Sequence, residues 1–142
     1  MGFSGLLTAT VFLPAAGALA ILLLVRGDRN IRWFAVAIAV ADLVLSLLVL
    51  TLFDRADGAN RFQFIDRFPW IPGDNLQASY FLGVDGLNAP LVTLTGLLGL
   101  CAVFASWHIN TRVREYFVWL LVLQTAVMGV FASLDLLLFF LF

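Results

Sequence analysis

The chain has 142 residues and a formal net charge of −1; 63% of it is hydrophobic and only 12% charged, against about 25% charged in a water-soluble domain. That composition is read as one helical membrane domain, and the near-zero charge excludes a nucleic-acid partner, which needs a basic surface. The single cysteine, Cys101, lies inside an apolar run, which excludes a disulfide framework or a cysteine metal cluster.

Taken in order, the first apolar segment covers Gly5 to Val25, enough to cross about 30 Å of hydrocarbon at about 1.5 Å per residue. Pro14 and Gly17 lie inside it, where membrane helices tolerate them better than soluble ones. No basic stretch precedes the segment, and it is too long for the apolar core of a secretory signal, so Ala18-Leu19-Ala20 is not read as a cleavage site. A short loop over residues 26–32 carries Arg26, Arg29 and Arg32, and the second segment covers Trp33 to Phe53.

Residues 54–86 form a long loop that reads as a β-hairpin. Leu76, Ala78, Tyr80, Leu82 and Val84 alternate with more polar neighbours, and Phe62, Phe64, Asp66 and Phe68 begin a similar alternation. Pro69 and Pro72 should close the first strand and mark it as an edge or irregular extension, and Pro72-Gly73-Asp74-Asn75 supplies turn residues. Trp70 and Tyr80 suit the membrane interface, where one end of the ring is wet.

The third segment covers Leu87 to Trp107, with Pro90 in its first turn, where a missing N–H costs least. A short loop over residues 108–115 carries Arg112 and Arg114, and the fourth segment covers Tyr116 to Ala132. The two short loops hold five arginines (Arg26, Arg29, Arg32, Arg112, Arg114) against three in the longer hairpin loop (Arg55, Arg61, Arg67). The positive-inside rule therefore places the short loops in the cytoplasm, and the N-terminus and residues 54–86 outside. Beyond Ala132, Ser133-Leu134-Asp135 interrupts the apolar run before the stub Leu136 to Phe142. This reads as a tight outer turn with Asp135 as N-cap of a fifth helix that the chain does not complete. The expected fold is thus an all-α polytopic membrane protein: four transmembrane helices plus the start of a fifth, with an external β-hairpin-like loop between the second and third.

Three acids are candidates for a proton path or for structure. Asp42 lies near the bilayer centre, where a carboxylate costs several kcal/mol unless paired, protonated or facing water; the structural alternative is an inter-helix hydrogen bond from a neutral carboxyl. Asp135 has as its structural reading the cap of the fifth helix, favoured by the helix dipole. Glu115, beside Arg112 and Arg114, has as its structural reading an exposed ion pair worth about 0–1 kcal/mol. Asp85, between Gly83 and Gly86, should cap the third segment. His108, beside Trp107, reads as an interfacial histidine rather than a ligand. Ser106, Gln124 and Thr125 should make inter-helix hydrogen bonds worth about 0.6 kcal/mol each.

Four stretches then carry a resemblance: Arg67-Phe68-Pro69-Trp70-Ile71-Pro72, Tyr80-Phe81-Leu82-Gly83-Val84-Asp85-Gly86-Leu87, Arg112-Val113-Arg114-Glu115-Tyr116 and Leu134-Asp135-Leu136-Leu137-Leu138-Phe139-Phe140. In this order and spacing they resemble the N-terminal part of the subunit M (chain 4) family of NADH-quinone oxidoreductase, respiratory complex I; the residues before about position 60 match only in character. The resemblance implies an antiporter-like, proton-translocating subunit of the bacterial cytoplasmic (inner) membrane, with no redox role of its own. NADH, FMN, the iron–sulfur clusters and quinone would all bind in partner subunits, and this chain would contribute no catalytic, cofactor-binding or metal-binding residue. It contains neither a GxGxxG nor a CxxC pattern. Its partners would be neighbouring antiporter-like subunits and the lipid bilayer. For Asp135, in the Leu-Asp-Leu stretch, the resemblance implies positioning of the helix that carries the family's essential glutamate, or a place at the outer proton exit; for Glu115, in the Arg-Val-Arg-Glu-Tyr stretch, it implies receiving protons or pairing with a neighbouring subunit. The family's essential glutamate is expected just past Phe142 and its relay lysines further on, in keeping with a chain that has no lysine. Related cation/proton antiporters and membrane-bound hydrogenase complexes share this fold and form the alternative.

Overall fold

A computed structural model describes residues 5–53, 62–71 and 78–142. In chain order these form α1 (Leu6–Leu23), α2 (Asp28–Leu52), β1 (Gln63–Ile71), β2 (Ala78–Val84), α3 (Asn88–Ala105), a 3₁₀ turn (Ser106–His108), α4 (Val113–Ala132) and α5 (Leu136–Leu141). The four long helices are each long and apolar enough to cross a membrane. Helix α1 packs on α2 and α4, α3 packs on the same two, and α2 also reaches α4 across the centre. Leu23, Val44, Leu48, Leu98 and Leu123 point outward and are exposed. Such a continuous apolar surface suits lipid rather than water, and the chain is a multi-pass membrane protein.

Two helices begin earlier than composition indicates. Residues 28–32 are the first turn of α2 rather than a loop, because Gly27 takes φ +90° to start the helix and Asp28 supplies the acid that the N-terminal dipole favours. At 25 residues, α2 is about 37 Å long, so its first turns, with Arg29 and Arg32, reach past the hydrocarbon to the headgroups. Likewise α4 starts at Val113, after Arg112 in the left-handed region at φ +48°, so Arg114 and Glu115 are helical. The third segment ends as α3 at Ala105 and tightens into the 3₁₀ turn.

The hairpin is a two-stranded antiparallel sheet pairing Asp66 with Leu82 and Phe68 with Tyr80. Strand β1 runs through Pro69 to Ile71 rather than closing there, because a two-stranded sheet has an unpaired edge on each strand, where a missing N–H is tolerated. The register shifts between Gln63 and Asp66, where Phe64 adopts φ +54°. The expected turn at Pro72-Gly73-Asp74-Asn75 and the side chain of Trp70 lie outside the described residues.

The core falls into two apolar clusters. One, at the hairpin end, joins Leu7, Val11, Val49, Val92 and Met128 to Leu82 and Val84 of β2 and Leu138 of α5. The other, at the arginine end, joins Ile21, Ile31, Ala35, Ala39, Val103, Phe117 and Leu121. Between them lies a layer of buried polar side chains: Asp42 and Ser46 on α2, Thr95 on α3, Gln124 and Thr125 on α4.

Candidate functional site

The mid-bundle layer is built from the approach of α2 to α4. Asp42 is fully buried and Gln124 is 5% exposed, and Gln124 Nε2 donates to Asp42 Oδ2 at 2.5 Å. Helix α3 makes room for the pair: a Cβ on Gly99 would lie 2.3 Å from Gln124 Oε1, and one on Gly96 would lie 2.8 Å from Ser46 Oγ. The other oxygens, Asp42 Oδ1 and Gln124 Oε1, are buried without a hydrogen-bond partner. Ser46 bonds its own helix at Leu43 O, and Thr93 Oγ1 reaches from α3 to Ser46 O. Thr125, expected to bridge helices, instead bonds Leu121 O of its own helix, as a threonine hydroxyl does when no partner is nearer. Ser106 bonds Ala102 O within α3 and Tyr116 Oη of α4, so it does join two helices. Gln124 and Thr95 also line a largely apolar cavity of about 350 Å³ between α3 and α4, with Gly99 and Leu98.

The hairpin end is organised by three acids. Asp85 Oδ1 accepts from the N–H groups of Leu87 and Asn88 and caps α3. Asp135 Oδ1 accepts from Leu137 N and caps α5, while its Oδ2 accepts from Ser79 N and Ser79 Oγ of β2. Asp66, fully buried, accepts from Gly5 N, Thr8 N and Thr8 Oγ1, so β1 supplies the cap of α1. Tyr80 Oη donates to Thr8 Oγ1. Burial, and to a smaller extent the Asp66 carboxylate, hold the Tyr80 phenol above its ordinary value, so it keeps its proton. Sequence alternation marks Asp66 only as a strand residue, because the helix it caps begins 60 residues upstream.

Asp135 is held below the ordinary carboxylate range, first by the N–H of Ser79 and then by that of Leu137. Its folded value lies below the unfolded one, so its stabilisation is present above the unfolded value of about 4 and is lost as pH falls through the folded value. Thermal melts should therefore show Asp135→Asn lowering Tm by a constant amount between about pH 8 and pH 5, with the gap to the parent closing below about pH 4.

At the opposite end, Glu115 pairs with Arg112 at 3.4 Å, with side chains 62% and 82% exposed. With Asp28, Asn110 and Arg114 it lines a polar pocket of about 320 Å³. Arg32 is better tied, donating to Ile109 O and Asn110 Oδ1, both at 2.8 Å, and Arg114 donates to Val25 O. Arg112→Ala should change stability by less than about 1 kcal/mol, whereas Arg32→Ala should cost about 1–3 kcal/mol; detergent-titration unfolding of both variants checks the contrast. His108 is exposed in the 3₁₀ turn, beside Trp107, whose ring meets that of Trp33 edge-on at 5.4 Å. Among the described residues no group of three His, Cys, Asp or Glu side chains could hold a metal ion.

The three acids first singled out are therefore not one constellation. Asp42 lies in the mid-bundle layer, Asp135 at the hairpin end and Glu115 at the arginine end, and no hydrogen bond or ion pair joins any two of them among the described residues.

No protein-family model matches the chain. It is similar along nearly its whole length to part of a larger protein. It is 40% identical to NADH-quinone oxidoreductase subunit M of Rhodobacter capsulatus over 142 residues, 96% of this chain and 27% of that protein. It is 40% identical to NAD(P)H-quinone oxidoreductase chain 4 2 of Thermosynechococcus vestitus, over 95% of this chain and 25% of the relative. It is 36% identical to NAD(P)H-quinone oxidoreductase chain 4 1 of a Nostoc species, over the same shares. The chain spans about a quarter of the length of these curated relatives, and the resemblance to subunit M (chain 4) read from its motifs agrees with their names.

Proposed function

We propose that this chain forms part of a membrane subunit of the proton-translocating NADH-quinone oxidoreductase and that its share is ion translocation rather than redox chemistry. The observation that carries the reading is the 36–40% identity to subunits M and chain 4, which extends over 95–96% of the chain. The four membrane-length helices and the strand-capped end agree with it. Electron transfer, and with it NADH, FMN, iron–sulfur clusters and quinone, belongs to partner subunits, among them neighbouring antiporter-like subunits in the same membrane. The reading places the chain in a bacterial inner membrane with its arginine end cytoplasmic and its hairpin end outside, because five arginines flank the short connections.

The test separates electron input from pumping. In membranes from a strain lacking this gene, NADH oxidation by ferricyanide, which draws electrons upstream of the membrane arm, should persist. NADH-driven acidification of inverted vesicles should fall to background. An unchanged NADH-driven gradient overturns the reading and leaves the antiporter or hydrogenase relatives.

A further inference from the structure

The geometry points to Asp42 as a proton-holding site at mid-membrane, with Gln124 positioning its carboxyl: the acid is carried neutral, and its proton exchanges with water. The inference deepens the proton-translocating reading and rests on it for its meaning in the cell.

Four observations support it. First, Asp42 sits between the two apolar clusters, fully buried, where an ionised carboxylate costs several kcal/mol unless a cation faces it. Second, no cation does so among the described residues. Helices α1 and α3 carry no charged residue. On α4 the charged residues are Arg114 and Glu115, with Glu115 about 13 Å along the helix from Gln124. On α2 the nearest is Arg32, about 15 Å from Asp42. Third, the hydrogen-bond inventory is short of a donor. Gln124 Nε2 satisfies Asp42 Oδ2, but Asp42 Oδ1 and Gln124 Oε1 are two buried acceptors with nothing to accept. A carboxylate has no donor to offer, whereas a carboxylic acid has one; a proton on Oδ1 removes the charge and supplies a donor to a layer that holds two unsatisfied acceptors. Fourth, Gln124 and Thr95 line the cavity of about 350 Å³ between α3 and α4. These are the two polar residues in an otherwise apolar lining, so the amide that holds the acid also borders a space outside the buried layer.

The test is infrared spectroscopy of the natural protein in its membrane complex, with isotope-labelled aspartate carboxyls and the complex reconstituted in liposomes. The expected result at neutral pH is the carbonyl stretch of a protonated acid that shifts in deuterium oxide and is missing from Asp42→Asn. Because asparagine is the isostere of the neutral acid, Asp42→Asn should keep the parent Tm. Gln124→Leu should keep the acid band but move its frequency, since the carbonyl loses its amide donor. Absence of the band in the parent, its persistence in Asp42→Asn, or a large loss of Tm in Asp42→Asn overturns the inference, the last because only an ionised, partnered carboxylate needs its charge. None of these readouts uses NADH, so failure here is distinguishable from failure of the oxidoreductase reading.

Discussion

Asp66→Ala should be among the most destabilising single substitutions at the hairpin end, at about 3 kcal/mol in detergent-titration unfolding. The side chain is fully buried and accepts three hydrogen bonds, from Gly5 N at 3.2 Å, Thr8 N at 3.1 Å and Thr8 Oγ1 at 2.6 Å. Bonds to a charged acceptor are each worth about 1.5–3 kcal/mol before any shared loss is discounted, and loss of a helix cap alone costs about 1 kcal/mol. The damage should be local: protease should cut the strands of Asp66→Ala faster, because the carboxylate ties β1 to α1. Thr8→Ala, which removes one of the three donors, should cost about 1 kcal/mol and combine with Asp66→Ala less than additively. A loss below about 1 kcal/mol for Asp66→Ala would mean that the hairpin is held by Leu82 and Val84 in the apolar cluster and not by its acid.

The same device recurs along that face. Helices α1, α3 and α5 all begin at the hairpin end, and each start is met by an aspartate: Asp66, Asp85 and Asp135. Two of the three bridge strand and helix, since Asp66 lies in β1 and Asp135 accepts from Ser79 of β2. Leu134 N also donates to Phe81 O. The hairpin is therefore a plate that satisfies the orphan N–H groups of helix starts which would otherwise need water. The arginine end is tied differently. There Arg32 and Arg114 donate to the carbonyls of Ile109 and Val25, which suits helix and turn ends that present acceptors.

How much of this was legible depends on whether the information is periodic. The four spans follow from the lengths of apolar runs, and β2 follows from the alternation of Tyr80, Leu82 and Val84. The caps at Asp85 and Asp135 could be read because they adjoin the helices they cap. Asp66 could not, since its helix starts 60 residues upstream, and no local pattern records a contact of that range. Strand β1 misled for a related reason. Asp66 and Phe68 share one face of the regularly paired stretch, yet Asp66 is buried while Phe68 is 54% exposed, so alternation alone does not say which residues of that face are covered. The helix starts at Asp28 and Val113 were read late because arginines look like loop residues, although at a membrane surface a helix can carry them on long side chains. For the mid-bundle layer, sequence supplied Asp42 and Gln124 separately. Their pairing required knowing that α2 and α4 lie diagonally across the bundle, which depends on two glycines of α3.

Those glycines give the second large effect. Gly99→Ala should destabilise by about 2–3 kcal/mol, although glycine to alanine inside a helix is otherwise favourable by about 1 kcal/mol. The added Cβ would lie 2.3 Å from Gln124 Oε1, 2.4 Å from Cδ and 2.5 Å from Nε2, far inside contact distance. The amide can escape only by leaving Asp42, which then faces apolar surroundings with both oxygens unpaired, a cost of about 1–3 kcal/mol. The cause can be isolated by a cycle. In a Gln124→Ala background the collision has gone, so Gly99→Ala should become neutral or stabilising by up to about 1 kcal/mol, a coupling of at least about 2 kcal/mol. Gly86→Ala is the control, because its Cβ would meet nothing nearer than Phe53 Cε1 at 3.9 Å. If Gly99→Ala costs the same with and without Gln124, then α3 is sensitive to bulk alone, and the Asp42–Gln124 pair does not set the helix spacing. If the cost disappears with Gln124, the glycine exists for the polar pair, and the close packing of α3 against the pair follows from keeping an acid and its amide together at mid-membrane.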